Sequence, residues 1–373
     1  MKNKIYKYDF LVVGGGLVGS LAAIALFQNN YKVLLLDKNK FISKDNRTLA
    51  VNANSMEFLD KLGLWKKLKT EVEPIKKIII KDFLNTDDLI LENKDESMGS
   101  VIFNSSLLKI ARNYLLTNKI LIPGLNFNSI DIKPNKNVII NKKIFNFKKI
   151  IIATGKNYEN DEILKKIKFT SSHRAYVGFF HHEKIHNQVA YEIFTPNGPL
   201  AVLPSPNKSK KVSTFIYSTK KDMESKSLIS LIIKHFNKSH SKIKLTNTIG
   251  SFPISPHISK PISKDFLLLG DAAHSIHPVA GQGWNLGVKD IQVLCENLNN
   301  YDIDDLNFDE IYLSKRIFEN FTYLNFTSLI NFLYEDQRLL SKIFIKTSFS
   351  ILNKIPFIKK IFIKQAMGRM NLV

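Results

Sequence analysis

Hydrophobic residues along this chain fall into two rhythms, and the order of those rhythms predicts the architecture. Phe10-Leu-Val-Val13 is an unbroken apolar run of the buried-strand type, and Gly14-Gly15-Gly16 follows it at once. Leu17 to Phe27 then reads as a helix of small and apolar residues, and Lys32-Val-Leu-Leu-Leu-Asp37 as a second strand ending on an acid. Far down the chain the theme returns. Phe266 to Leu269 is a short apolar run closed by Gly270-Asp271, and beyond Pro278 a helix begins whose Trp284, Val288, Ile291, Cys295 and Leu298 share one face. Between these ends, Ile75 to Leu91 and Phe169 to Ser263 carry β-rich patterns such as Ala175-Tyr-Val-Gly-Phe-Phe180 and Val212-Ser-Thr-Phe-Ile-Tyr-Ser218, with Pro204 to Lys211 as a turn between strands. From Phe308 onward the pattern is helical, and Pro356 divides its last part into two short helices.

The glycine spacing gives the first strand and helix a chemistry. In G-x-G-x-x-G, Gly14 permits the tight turn, Gly16 lets a pyrophosphate approach the backbone, and Gly19 lets the helix pack on the strand, with Leu17 and Val18 between them. Asp37, followed by Lys38, arrives where a ribose hydroxyl would be bound. This motif alone does not separate FAD from NAD. The late motif does: Gly270-Asp271 projects a carboxylate toward a sugar hydroxyl, while Gly281 and Gly283 let backbone come close to a flat ligand. The helix start from Gly281 through Gln282, Trp284 and Asn285 offers free amides to the negative charge that reduced flavin carries. Arg47, shortly after the second strand, is placed near the isoalloxazine or pyrophosphate. One cofactor site built from both chain ends requires a discontinuous domain. We therefore expect an FAD-binding domain from residues 1–70, 101–165 and 264–300, a β-rich substrate domain from 71–100 and 166–263, and a C-terminal helical segment over 301–373.

Composition narrows the picture without changing it. A chain of 373 residues, 44% hydrophobic, can bury large cores. The net charge of +21 accompanies an abundance of Lys, Asn and Ile that reads as nucleotide-composition drift, so single lysines carry little meaning. A lone cysteine, Cys295, excludes an internal disulfide and a multi-cysteine metal cluster, and its helical phase assigns it to the core. His181, His182 and His186 lack ligand-like spacing partners, so no metal is expected. His274 and His277 flank the flavin turn and read as hydrogen-bonded structural residues. No secretory signal and no transmembrane span is visible, so a cytoplasmic protein is expected. The tail qualifies this. After Gln337 come Arg338, Lys342, Lys346, Lys354, Lys359, Lys360, Lys364 and Arg369, interleaved with Leu, Ile and Phe and with no acid, a pattern suited to peripheral contact with the inner face of the membrane. No nucleic-acid module is present.

Further segments carry a resemblance. Asp45-Asn-Arg47-Thr-Leu-Ala50 with Ser55 and Leu62-Gly-Leu-Trp65, then Gly198-Pro-Leu-Ala-Val-Leu-Pro204, then Tyr312 with Arg316, and Ala366-Met-Gly368 accompany the string His277-Pro278-Val-Ala-Gly281-Gln282-Gly283-Trp284-Asn285-Leu-Gly287. From Asp9 to Gly368 the chain resembles the ubiquinone-biosynthesis hydroxylase family within the class A flavin monooxygenases. The resemblance implies an α/β fold: a Rossmann-type, glutathione-reductase-like FAD-binding domain with an inserted β-sheet substrate domain and C-terminal helices. It implies FAD as cofactor, O2 as acceptor, and a hydrophobic prenylated aromatic substrate, a polyprenyl phenol or quinol, hydroxylated through a C4a-hydroperoxyflavin. Pro278, Gly281, Gln282 and Gly283 would frame the reacting ring, with Pro278 as its wall, and membership of a ubiquinone-biosynthesis complex is a further expectation. Two departures stand out. The family's Ala-Asp-Gly-x-x-Ser-x-x-Arg reads Ala153-Thr154-Gly155-Lys-Asn-Tyr158-Glu-Asn-Asp161 here, so the electron donor is either NADPH or a separate electron-transfer protein. Ser105 stands where the family's arginine touches the FAD phosphates, which predicts weaker FAD affinity. A prenyl-lipid reductase or dehydrogenase, or a non-catalytic paralogue in a biosynthetic complex, are the competing readings.

Overall fold

The computed structural model describes residues 5–42, 47–84, 87–125, 132–133, 137–156, 166–246, 250–262, 266–277, 281–336 and 338–370. Among these residues a seven-stranded sheet forms the first layer. β8 (Leu121–Pro123), β2 (Val33–Asp37), β1 (Ile5–Val13), β11 (Lys143–Ile152), β10 (Asn137–Ile140) and β9 (Ile132–Lys133) lie in that order, and β20 (Phe266–Leu268) joins β11. The pairs β1–β2, β1–β11, β11–β20 and β2–β8 are parallel. Strands buried on both faces explain the unbroken apolar runs. Phe10, Val12, Leu35, Ile151 and Leu267 enter one core, whereas Leu11, Val13, Leu34, Leu36, Ile150, Ile152 and Leu268 enter the other.

The first of these cores is closed by helices. α1 (Leu17–Gln28), α3 (Asn104–Thr117) and α5 (Gln282–Asn300) contribute Leu21, Ile24, Leu107, Ala111, Val288, Ile291 and Leu294 to it. α1 is buried almost all round, because its alanines allow neighbours to approach closely. A small antiparallel sheet of β3 (Thr48–Asn52), β7 (Gly99–Phe103) and β4 (Val72–Ile75) lies beside it, with α2 (Ala53–Lys61) following β3.

An eight-stranded sheet forms the second layer. Its order is β17 (Lys244–Leu245), β13 (Arg174–His181), β16 (Val212–Thr219), β15 (Gly198–Pro204), β14 (Val189–Thr195), β5 (Lys77–Asp82) and β6 (Leu89–Glu92), with β18 (Gly250–Pro253) beside β13. The segment that begins near residue 71 is thus divided: β4 stays with β3 and β7, and the chain enters the large sheet at Lys77. α4 (Ser225–His240) covers one face through Leu228, Ile232 and Phe236, one turn apart, against Phe180, Phe215 and Tyr217. β12 (Ile167–Lys168), β19 (His257–Ile258) and β21 (His274–Ser275) form a short sheet that ties the two layers together.

The C-terminal region is helical, with α6 (Leu306–Glu335), α7 (Leu339–Lys354) and α8 (Pro356–Ala366), and Pro356 at the first turn of α8 separates the last two. α6 packs on α5, and Phe349, Phe362 and Met367 pack against Leu89 and Leu91 of β6. Among the described residues no helix is long and apolar enough to cross a membrane.

Three histidines lie inside the second layer. His182, His186 and His240 are buried, with the His182 and His240 rings 4.6 Å apart and edge-on. Among the described residues no group of histidine, cysteine or acidic side chains is arranged to hold a metal ion. Burial, then the neighbouring His182, push His186 down to about 4; burial, then His182 and His186, push His240 down to about 3. The fold therefore keeps these rings neutral, whereas the unfolded chain takes up protons below its ordinary value of 6.5. Their contribution is complete above that value and is lost as pH falls through the window toward 4 and 3. Unfolding free energy from urea titrations should drop by about 1.4 kcal/mol per pH unit for each such histidine. His240→Phe should flatten that slope, and an acid dependence unchanged by the substitution would contradict the assignment.

Candidate functional site

The turn after β1 is built as the glycine spacing requires. Gly14 has φ +108, and a Cβ there would lie 2.5 Å from the Ala153 carbonyl oxygen at the end of β11. A Cβ on Gly19 would lie 2.0 Å from the Gly14 carbonyl oxygen, so only glycine lets α1 sit this close to the strand. Gly16 faces open space with nothing within 4 Å of its Cβ position, and it caps α1 without a side-chain hydrogen bond or an acid in the first turn. The first amides of α1 are therefore presented to an anion.

The late motif arrives at the same place. β20 runs parallel to β11, and Gly270 follows it with φ +59. Cβ atoms built on Gly270 and Gly287 would lie 3.1 Å and 2.9 Å from the Val18 side chain, so the first turn of α1 wedges between the Gly270 turn and α5. Gly281, at φ +63, caps α5 with no side-chain hydrogen bond and no acid in the first turn. Two uncapped helix starts thus serve one cavity.

That cavity has a volume of about 660 Å³, within the roughly 300–1,000 Å³ usual for ligand sites. Its lining includes Gly14, Gly16, Leu17, Val18, Asp37, Lys38, Arg47, Ala153, Thr154, Gly155, Asp271, Gly283 and Trp284, bringing together most of the residues singled out in the sequence. Gly19, Gly270 and Gly281 shape the turns behind the lining. Gln282 lies beside a second, very small pocket shared with Asn52, Asn54 and Tyr323. The Asn285 amide ties β3 to α5: Nδ2 donates to the Ala50 carbonyl at 2.9 Å and Oδ1 accepts from the Asn52 amide at 3.0 Å. Pro278 lies outside the described residues.

Polar atoms of the lining are ready for a ligand. Thr154 Oγ1 and Trp284 Nε1 are buried without a hydrogen-bond partner among the described residues, a cost that a bound polar group would remove. Asp37 leans toward Gly15, whose Cβ would lie 2.5 Å from the carboxylate. Arg47 lies over the Phe252 ring at 5.5 Å, bridging the cavity rim and the second layer. A dinucleotide with a flat ring fits this donor set.

Sequence reasoning missed the group that holds the Gly270 turn. Asp290 on α5, fully buried, accepts from the Gly270 amide at 2.7 Å, from His274 Nε2 at 2.8 Å and from Arg316 Nε at 2.7 Å. Arg316 comes from α6 and also donates to Glu319 and Asn320. Burial pushes the Asp290 carboxyl up, but His274 and Arg316 outweigh it and hold it below the usual carboxylate range. The signal was present: Leu286, Asp290 and Leu294 follow one another a turn apart, so an acid stands in an apolar row. His274 is thus hydrogen-bonded, whereas neither ring nitrogen of buried His277 has a partner among the described residues. Burial, then His173 packed edge-on at 5.1 Å, push His277 down to about 3. Cys295 lies against the first core, and burial pushes its thiol up to about 12, which keeps it protonated.

This fold and cavity define a flavoprotein-type dinucleotide site. The FAD binding domain family matches residues 7–102 and 181–301, and the chain belongs to that family. It is 27% identical over 322 residues to the ubiquinone hydroxylase UbiL of Rhodospirillum rubrum, covering 78% of this chain and 72% of the relative. It is 24% identical over 403 residues to the human mitochondrial ubiquinone biosynthesis monooxygenase COQ6, covering 88% and 85%. Among solved structures, p-nitrophenol 4-monooxygenase PnpA of Pseudomonas putida superposes with a TM-score of 0.78 at 15% identity, covering 99% of this chain and 100% of the other. A single-residue variant of Klebsiella pneumoniae HpxO complexed with FAD gives 0.72 at 14%, covering 98% and 100%. The resemblance to the ubiquinone-biosynthesis hydroxylases is borne out by these relatives.

Replacing Asp290 by Asn should cost about 3–5 kcal/mol, because it breaks a buried ion pair and removes the acceptor shared by Gly270, His274 and Arg316, leaving Arg316 with Glu319 as its remaining acid. Urea unfolding measures this, and a loss below about 1 kcal/mol would show that the cluster does not hold the turn.

Proposed function

We propose that the protein is an FAD-dependent monooxygenase that hydroxylates the aromatic ring of a polyprenyl phenol or quinol intermediate of ubiquinone biosynthesis. The observation that carries this reading is the closing of two distant glycine motifs on one cavity, with uncapped starts of α1 and α5 at its wall. Bound there, FAD supplies the oxygen-activating chemistry. The chain's own residues bind, orient and shield. The amides at the start of α1 take the pyrophosphate, Asp37 takes the adenosine ribose, and Asp271 takes a hydroxyl of the flavin-side sugar chain. The amides at the start of α5 meet negative charge on the ring, worth roughly 0.3–1 kcal/mol. The eight-stranded sheet roofs the substrate and keeps water from the reacting face.

The electron donor is NADPH or a separate electron-transfer protein. The loss of the family's Asp at Thr154 supports the second, although Tyr158 and Asp161, the other two departures, lie outside the described residues. A lipid substrate also gives meaning to the C-terminal helices. The outer face of the C-terminal helices exposes Phe318, Phe321, Leu329 and Phe332 on α6 and Leu339, Leu340, Ile343, Phe344 and Phe357 on α7 and α8. With the acid-free basic tail, this face suits an anionic bilayer at the membrane surface.

Three measurements test the reading. Purified protein should be yellow and should consume O2 with NADPH or with a ferredoxin-type donor; a colourless protein that takes up no FAD would overturn it. A strain lacking the protein should accumulate a quinone precursor short of one ring oxygen, and an unchanged quinone-lipid profile would refute the substrate class. The protein should sediment with vesicles of anionic but not neutral lipid. Replacing Leu340 and Phe344 by Ser should abolish that sedimentation, and equal recovery with both lipids would remove the membrane argument.

A further inference from the structure

Asn104, Leu108 and Arg112 stand one turn apart on α3 and all line the cofactor cavity. Ser105, where the family's arginine touches phosphate, is not in that lining. The helix nevertheless brings a guanidinium to the site, two turns further along. Arg112 is 5% exposed, and its NH1 donates to Asp37 Oδ2 at 2.6 Å. Its NH2 donates to the carbonyls of Asn39 at 2.8 Å and Lys40 at 3.0 Å. One side chain thus ties α3 to the end of β2 and to the loop after it.

The consequence falls on Asp37. A buried carboxylate without a partner would be expelled or protonated, and a bare acid at a strand end has several rotamers open to it. Arg112 cancels its charge and the Asn39 amide holds Oδ1 at 3.0 Å, which fixes the carboxylate plane toward Gly15. A carboxylate accepts about four hydrogen bonds, so two sites remain for ribose hydroxyls. We infer that Arg112 is the specificity-determining positioning residue of this site: by orienting Asp37 and the Asn39–Lys40 loop it makes the cavity select a dinucleotide flavin over a mononucleotide one. The inference rests on the FAD reading above and adds to it a residue at the adenosine end, where the sequence motif offered only the acid. The fit of the guanidinium supports it. Arginine alone has the planar fork that serves a carboxylate and two carbonyls at once, and lysine would keep the charge but lose part of this geometry.

Fluorescence titration of the flavin-free full-length protein with FAD and with FMN provides the test, since FMN lacks the adenosine half. Wild type should bind FAD more tightly than FMN. Arg112→Leu should weaken FAD binding about thirtyfold, the scale of a lost charged hydrogen bond, while changing FMN affinity less than about threefold. Arg112→Lys should recover part of the loss. Asp37→Asn should reproduce the Arg112→Leu effect, and the double variant should be no worse than either single one, because the two side chains act as one unit. Parallel loss of FAD and FMN affinity, or additive losses in the double variant, would overturn the inference by showing a merely structural or an independent role. Should Arg112→Leu fail to fold, Arg112→Lys and Asp37→Asn decide it by the same FAD-to-FMN ratio, where an unchanged ratio overturns it. A wild-type protein that binds neither flavin would instead refute the cofactor reading itself.

Discussion

A single buried carboxylate holds the cofactor site in register. Asp290 lies where α5, α6 and the Gly270 turn meet, and it accepts from the Gly270 amide, from His274 just beyond the turn and from Arg316 on α6. Taking such a charge out of water is costly, and it is tolerated here because Arg316 neutralises it while every contact, including that from His274, is a directed hydrogen bond. The benefit is geometric. An apolar contact at this point would let the turn slide, whereas a carboxylate with three fixed donors allows one arrangement of the Gly270 amide, and hence one position for Asp271 on the cavity wall.

The rest of the site depends on that register. Val18 fits tightly between Gly270 and Gly287, where Cβ atoms would lie 3.1 Å and 2.9 Å from its side chain, so the start of α1 and the start of α5 are set relative to each other by direct packing. Asn285 and the Asn52 backbone complete the frame by joining α5 to β3, from which the small sheet leads into the eight-stranded one. The C-terminal helices are part of this frame. Arg316 on α6 reaches the Gly270 turn through Asp290. At the far end of the tail, Gly368 has φ +71 and lies so close to Asn52 that a Cβ would approach its amide to 2.4 Å. Order in the tail therefore supports the flavin site mechanically while its outer face presents Phe318, Phe321 and Leu340 to the surroundings.

The parallel sheet was legible because strands buried on both faces leave unbroken apolar runs, as at Phe10–Val13, Val33–Leu36 and Phe266–Leu269. Gly14, Gly19, Gly270 and Gly281 were legible because each answers a steric or backbone demand that other residues do not meet. Arg112 was not, because a charged residue on a helix is ordinarily a solvated one and only its surroundings turn it into a buried partner; the apolar row around Asp290 signalled its burial but not the partners it meets. The division of the segment after residue 71 was equally hidden: β4 and β5 are separated by Lys76 alone, yet β4 pairs with β7 and β5 with β14. His277 shows the same limit, since nothing in its neighbours along the chain announces a buried ring with both nitrogens unpartnered among the described residues.

By itself, then, the sequence determined which backbone turns could form and which strands had to be buried, because steric freedom at glycine and the two-residue period of a strand are local properties of the chain. Tertiary structure alone decided which charges meet: Asp37 with Arg112 across α3, and Asp290 with His274 and Arg316 across α5 and α6. The physical reason is distance. A hydrogen bond between residues far apart in the chain depends on how helices and sheets pack, and that packing is a collective outcome of the whole core that no local pattern encodes.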